Sequence, residues 1–331
     1  MSIDTVLIDN RWGGNTGIGR LLREIKQRTP AGVQTKLIDE KFDLGSPLTP
    51  LFLKRKVNSS GADIFYSPSF MPPLQSTVPF IITIHDLNHL YFYTKFHKLY
   101  LKYAIAYIAK KSKRIITVSE YTKGELVDKL GLDAKKIDVI YNGVDPNYSL
   151  NTQCFETERP YFLYVGNRRE YKNLDRTFAA FARANIASDY LLLITGNSDE
   201  HTLSLITRHN LNDKVRFLGS VNEADLPKIY KGATALLFVS LMEGFGLPVI
   251  EAMASETPVI TSNITSLPEI AGDAALLTDP YNIDDISRAI ESIADSPLLR
   301  TELKEKGVIR SKAFSWDNTG KQTWDLIRSS T

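Results

Sequence analysis

Short apolar runs alternate with helix-period segments along this chain, and the alternation runs twice. Runs at 5–8, 34–38, 64–66, 80–84, 115–118 and 137–141 are strand-sized, with helical patterns at 20–28, between 91 and 113, and at 120–130. Ser119 caps the last of these helices and Gly131 stops it. The pattern lapses at 151–160, NTQCFETERP, which is polar and without period. It then restarts, with strands at 161–165, 190–195, 215–218, 235–239 and 258–261 and helices at 174–184, 224–231, 248–254 and 283–294. Apolar runs of strand length separated by helices predict an open parallel sheet. Two such series in 331 residues predict an α/β chain of two doubly wound domains hinged at 151–160. Ligands of such sheets bind beyond the carboxyl ends of the strands, so two of them facing each other imply a substrate cleft.

Composition narrows the class further. Hydrophobic residues make up 43% and charged residues 24%, the balance of a globular chain. The longest apolar runs, such as 233–239, fall well short of the ~20 residues of a membrane-spanning helix. The N-terminus reads straight into a strand without the features of a signal peptide, and the single Cys154 permits no internal disulfide. The expectation is a cytoplasmic protein without a structural zinc site. Charge is uneven: residues 1–150 carry 21 Lys and Arg against 14 Asp and Glu, and residues 151–331 carry 19 against 24. A basic first half suits an anionic partner, although a chance surface distribution would give the same count.

The segment 236–260, LLFVSLMEGFGLPVIEAMASETPVI, carries the most chemistry. A buried strand runs into Glu243, Gly244, Phe245, Gly246 and Leu247, and Pro248 opens a helix. Glycines let backbone N–H groups approach a ligand, and a helix N-terminus offers unpaired donors to phosphate or sugar oxygens. Glu243 and Glu251 can both edge that site, as acceptors for sugar and ribose hydroxyls. In 161–174, YFLYVGNRREYKNL, a strand ends at Gly166 and Arg168, Arg169 and Lys172 follow before a helix. Cations placed there can neutralise a departing diphosphate.

EGFGLPVIE resembles the E-x7-E motif of retaining GT-B glycosyltransferases, in particular glycosyltransferase family 4, and the neighbouring Pro258-Val259-Ile260, Leu267-Pro268-Glu269 and Gly272-Asp273-Ala274-Ala275 agree with it. The resemblance implies that Glu243 and the turn Gly244–Leu247 hold the transferred sugar and diphosphate, and that Glu251 binds the ribose. The 161–174 segment is similar to the family's Gly-Arg…Lys-Asn signature, in which an arginine and a lysine grip the diphosphate. Lys172-Asn173 matches, but Asn167 stands where the arginine usually follows the glycine, so the role passes to Arg168, with Arg169 as its rival.

The loop 9–20, DNRWGGNTGIGR, taken alone suits a dinucleotide, with Asp39 or Glu40 about 20 residues on, but its glycine spacing is not G-x-G-x-x-G. It also resembles the family's Gly-rich first loop through Gly17-Ile18-Gly19-Arg20, which places Gly17 and Gly19 near the donor diphosphate and the acceptor. His85-Asp86, after the strand at 80–84, is similar to a pair whose histidine reaches the transferred sugar; by position alone a structural histidine is the plainer reading. The other four histidines carry no role. Val118-Ser119-Glu120, Asn142-Gly143-Val144-Asp145 and Phe314-Ser315-Trp316-Asp317 also match family segments, the last as the start of a C-terminal helix that crosses back to the first domain.

Together these imply a GT-B fold with an acceptor domain at 1–155, a nucleotide-sugar domain at 156–314 and a crossing helix at 315–331. The implied activity is retaining transfer of a hexose from a nucleoside-diphosphate sugar to a hydroxyl of a glycan or a lipid-diphosphate-linked acceptor. It would proceed by same-face attack, without cofactor or metal, there being no convincing Asp-x-Asp pair. The Gly-Ile-Gly-Arg run leans the reading to GDP-mannose and to bacterial surface polysaccharide such as lipopolysaccharide O-antigen. Rival readings are an NAD-dependent oxidoreductase using the first loop and Asp39, a nucleotide-sugar epimerase of the same fold, and a non-catalytic sugar-binding protein. Residues 91–114 mix seven cations with seven aromatics at helical spacing. The plainer reading is an amphipathic helix with its aromatics inward, and the other is peripheral contact with an anionic membrane. No recognised module supports nucleic-acid binding.

Overall fold

The computed structural model describes residues 4–14, 16–40, 42, 44, 46–92, 94–186 and 190–330. Asn15 of the first glycine loop and Tyr93 of the basic aromatic segment lie outside them. The chain divides into two units, one of Met1–Gly143 with Ser315–Thr331 and one of Val144–Phe314.

Unit 1 is built on six parallel strands, β1 (Thr5–Asp9), β2 (Gln34–Ile38), β3 (Ile64–Ser67), β4 (Phe80–Ile84), β5 (Arg114–Thr117) and β6 (Ile137–Val139), in the order β2-β1-β3-β4-β5-β6. Every residue of β3 and β4 is buried, as continuous apolar strands covered on both faces must be. The helix Gly17–Gln27 follows β1. Its Thr16 cap accepts from the Gly19 amide at 3.1 Å, and Leu21, Leu22 and Ile25 are buried. Gly19 has a packing reason of its own: a Cβ there would stand 2.2 Å from the Gly14 carbonyl oxygen.

The helix Trp316–Arg328 also belongs to unit 1, although it is far away in sequence. Trp324 is 1% exposed and donates its indole N–H to the Ile25 carbonyl at 2.9 Å. Thr319 reaches the Tyr141 carbonyl at 2.6 Å, and Arg28 pairs with Asp317 at 2.8 Å. Both buried groups find partners, which is what burying an indole N–H or a hydroxyl requires.

Unit 2 repeats the design with β7 (Tyr161–Tyr164), β8 (Leu191–Ile194), β9 (Val215–Phe217), β10 (Ala235–Phe238), β11 (Val259–Ser262) and β12 (Leu276–Thr278), in the order β12-β11-β10-β7-β8-β9. All its strand pairs are parallel. Its core joins the sheet to helices Leu174–Arg183 and Ile283–Asp295 through Phe162, Phe178, Phe181, Leu237 and Ile290. Sequence reading missed β12, because three residues with one buried leave little pattern.

The units meet in the chain at 143–144 and at 314–315, whereas sequence reading placed the first boundary at 155–156 with a hinge over 151–160. The reason lies in what 144–155 touches. Tyr148 packs edge-on against Tyr230 with ring centroids 5.7 Å apart, and the Phe155 amide donates to the Lys228 carbonyl at 2.9 Å. The polar stretch is pinned to unit 2 by backbone contacts that leave no apolar period. Among the described residues no helix is long and apolar enough to cross a membrane.

Candidate functional site

In each sheet the strand order reverses once, between β1 and β3 in unit 1 and between β7 and β10 in unit 2. The crevice beyond the carboxyl ends at such a reversal is where doubly wound sheets take ligands. In unit 2 the residues singled out from sequence stand there.

Gly166 follows β7 with φ +141°, a conformation that favours glycine. The loop after it is shaped by buried Tyr164, whose hydroxyl donates to the Asn167 carbonyl at 2.9 Å. Burial pushes the Tyr164 phenol well above its usual pKa, so it stays a donor. Lys172 ends the loop, and its ammonium donates to Glu243 at 2.6 Å. Both side chains are almost covered, 11% and 12% exposed, and the ammonium also lies 4.7 Å from the centre of the Phe238 ring. The pair thus spans the reversal point, joining the β7 exit to the β10 exit.

Asn173 fixes where Lys172 stands. It is buried with φ +58°, and its amide donates to the Val239 carbonyl at 2.9 Å and the Pro280 carbonyl at 2.8 Å. The Lys-Asn half of the signature is therefore one lysine aimed at the crevice and one asparagine clamping its loop to the next strand.

Gly244, Phe245 and Gly246 are buried. Gly246 has φ +108° and caps the helix Leu247–Ala254, and a Cβ there would come within 2.8 Å of a Leu267 methyl. Pro248 sits at the second helical position, one later than expected, with Leu247 at the first. The Ser266 hydroxyl reaches the carbonyls of Glu243 and Phe245, both at 3.0 Å. Held from that side, the turn presents the helix start at the crevice.

Glu251 is 6% exposed, and its carboxylate accepts from the Tyr230 hydroxyl at 3.0 Å. Tyr230 is fully buried between Tyr148 and the Thr257 hydroxyl, which holds its carbonyl at 2.6 Å. Sequence reading did not single it out, since an aromatic at that helical position reads as core and its partner lies 21 residues on.

Arg168 and Lys172 take different directions. The Arg168 guanidinium pairs with Asp199 at 3.1 Å, donates to the Thr195 carbonyl at 3.1 Å and lies 5.2 Å from the Phe217 ring centre. Partial burial pushes Asp199 up, but hydrogen bonds from the Thr202 amide and hydroxyl and the charge of Arg168 outweigh it and hold the carboxyl low. The Arg168 Nε–H has no partner among the described residues. Arg169 is exposed, its amide bonded to the Asn167 side chain at 3.2 Å.

Unit 1 carries a sparser set. His85 follows β4, and its Nε2 lies 2.8 Å from the Pro68 carbonyl oxygen. Burial lowers its pKa, so the ring is neutral near pH 7, with Nε2 carrying the proton and Nδ1 left as an acceptor. Gly17 is exposed at the start of its helix. Asp9 is bound by Arg11 through Nε at 2.7 Å and Nη2 at 2.8 Å. Asp39, the residue a dinucleotide ribose would need, is hydrogen-bonded by Asn10.

The model described as glycosyl transferases group 1 matches residues 151–309, and the one described as glycosyltransferase family 4 matches residues 11–148. The chain is a glycosyltransferase, its first part of the family 4 type and its second of the group 1 type. It is 29% identical over 279 residues to O-antigen chain mannosyltransferase B of Escherichia coli, covering 78% of this chain and 72% of that one. It is 35% identical over 229 residues to O-antigen chain mannosyltransferase RfbU of Salmonella typhimurium, covering 67% of this chain and 64% of that one. Among solved structures it resembles Anabaena Alr3699/HepE in complex with UDP and glucose, with a TM-score of 0.79, 17% identity and coverage of 98% and 99%. The fold is that of GT-B glycosyltransferases, as its motifs implied. Membership favours group transfer over the oxidoreductase reading of the first loop.

Proposed function

We propose that this glycosyltransferase is a retaining mannosyltransferase of surface-polysaccharide assembly. It takes GDP-mannose on unit 2 and uses unit 1 for a glycan or lipid-diphosphate-linked acceptor, with no cofactor or metal. The observation that carries the reading is the Lys172–Glu243 pair at the strand-order reversal, beside a glycine turn that starts a helix. It sets a cation and a carboxylate beside a helix N-terminus, a setting that suits a sugar diphosphate. Lys172, the helix start at Gly246 and Arg168 would stabilise the charge that gathers on the departing diphosphate. Glu243 would accept from sugar hydroxyls and Glu251 from the ribose, while Tyr230 fixes the Glu251 carboxylate. His85 is the unit 1 candidate for a sugar contact.

In the step itself the bond from the anomeric carbon to the phosphate oxygen breaks. The acceptor oxygen bonds to the same face, and its proton passes to the leaving phosphate. Mannose is favoured by the two O-antigen mannosyltransferase relatives. Contact of residues 91–114 with an anionic membrane, giving a peripheral location, belongs to the same reading.

The test is a thermal-shift series with GDP, UDP, dTDP, ADP and NADH. Stabilisation by GDP is expected, about 2.7 kcal/mol at a hundred times its dissociation constant. A response to UDP in its place would overturn the donor, and a response to NADH alone the transfer reading. Tyr230→Phe keeps the packing and removes one hydrogen bond to a carboxylate, worth about 1.5–3 kcal/mol. It should weaken GDP roughly tenfold or more while leaving kcat within a few-fold, because the carboxylate it orients meets the ribose and not the reacting carbon. Unchanged GDP affinity in Tyr230→Phe would remove the positioning role.

A further inference from the structure

Thr265 of unit 2 combines a strained backbone with a buried hydroxyl that nothing answers. It lies in the loop that follows β11, the strand paired in parallel with β10, so it leaves the sheet beside the exit that delivers Glu243. Its φ is +61°. Among the described residues the other non-glycine positions with positive φ are Gln75, Asn173, Asn210 and Glu256, none of which branches at Cβ. A branched side chain crowds its own backbone in that region, so threonine stays there only under constraint. The Thr265 hydroxyl oxygen is buried and has no hydrogen-bond partner among the described residues. No other described residue carries both features.

The neighbouring residue shows what the left-handed step achieves. Ser266 precedes the short helix Leu267–Ala271, yet its hydroxyl makes no capping bond to that helix. It is turned instead onto the carbonyls of Glu243 and Phe245, both at 3.0 Å, and Ser266 is fully buried. The reversal at 265 thus fixes one side of the turn that runs from Glu243 to Gly246. Glycine would make the same reversal without strain, as Gly246 does in the turn itself with φ +108°. Threonine adds a steric cost there, and its unanswered hydroxyl adds a desolvation cost. The backbone needs neither. Strain and unpaired polar groups persist together where a site is preorganised for what binds it.

We propose that Thr265 is a specificity-determining residue for the transferred sugar, its hydroxyl pairing with a sugar hydroxyl when the donor binds, beside the one that Glu243 accepts. Thr265 is half-buried, and rotation about χ1 exchanges its hydroxyl with its methyl group while the backbone stays in place. A threonine hydroxyl both donates and accepts, so it complements Glu243, which as a carboxylate only accepts. A neutral hydroxyl suits a neutral sugar, whereas the diphosphate has charged and dipolar partners in Lys172 and the helix start at Gly246. The inference rests on the donor reading of this crevice and adds to it the residue that tells a sugar nucleotide from the bare nucleotide.

The test is titration calorimetry of the full chain with GDP and with GDP-mannose, run on the parent, Thr265→Val and Thr265→Ser beside their melting curves. Thr265→Val keeps the branch and the shape and removes the hydroxyl alone. It should melt at or above the parent temperature, because no unpaired oxygen is left buried. It should bind GDP within about twofold of the parent and GDP-mannose roughly three- to tenfold more weakly, the worth of one neutral hydrogen bond. Thr265→Ser should restore the parent's ratio of the two affinities. Equal losses for both ligands in Thr265→Val, or a lower melting temperature with both affinities kept, would assign the hydroxyl to the fold and overturn the proposal. So would a Thr265→Ser protein that behaves like Thr265→Val. A parent that binds neither ligand fails the donor reading and takes this inference with it, whereas a parent that binds both while Thr265→Val keeps their ratio fails this inference alone.

Discussion

Lys172→Met should lower turnover at saturating donor by roughly 10²–10³-fold, the cost of removing one preorganised positive group from a developing anion. The stem of a methionine still covers the Phe238 ring, so what is lost is the ammonium 4.7 Å above it. Stability should fall as well. Glu243 stays 12% exposed and loses its ion-pair partner, and breaking one side of a covered pair costs about 3–5 kcal/mol. The two losses separate in the double variant Lys172→Met, Glu243→Gln. Its melting temperature should return most of the way, because no charge is left stranded, while turnover stays low. Transfer assays with the two variants, read beside their melting curves, check this. A double variant that regains turnover would show that the single one failed only by misfolding, and near-normal turnover in Lys172→Met would remove the lysine from the chemistry.

Trp324→Ala should be the most damaging single change in unit 1. The ring is 1% exposed and its N–H holds the Ile25 carbonyl. Emptying such a site costs about 3–5 kcal/mol, a drop of about 6–20 °C in the melting temperature of a unit this size. Unit 2 contains neither partner. Calorimetry should therefore show one transition moving and a second holding its place, and GDP should still raise the second. If both transitions moved together, the two units would unfold as one, and the effect could not be assigned to the helix Trp316–Arg328.

Much of the candidate site in unit 2 was legible in the sequence because its residues are local. Glu243 through Glu251 occupies one strand exit and one helix, so spacing alone brings the residues together. Gly166 and Lys172 likewise share one loop. What could not be read are the partners that approach from elsewhere. Tyr230 meets Glu251, Asn173 meets Val239 and Pro280, and Asp199 draws Arg168 toward the β8 exit. Each contact joins segments that only the sheet makes adjacent. The aromatics of 91–114 were hidden for another reason. Helical spacing predicts that a helix has two faces, but the period is the same whichever face turns inward, and aliphatic Leu101 and Ile105 took the core.

The helix Trp316–Arg328 also bears on how the molecule is made. Unit 1 joins Met1–Gly143 to Ser315–Thr331, while all of 144–314 lies between. A ribosome delivers the chain from its N-terminus, and domains fold as units when their residues have emerged. Unit 2 is continuous and can close during synthesis. Unit 1 must wait with its backbone carbonyl at Ile25 unanswered and its Gly17–Gln27 helix lacking this neighbour until residues 316–328 have been made. A nascent chain halted before Ser315 would hold a finished unit 2 tethered to an unfinished unit 1, so translation itself imposes an order on the two sheets.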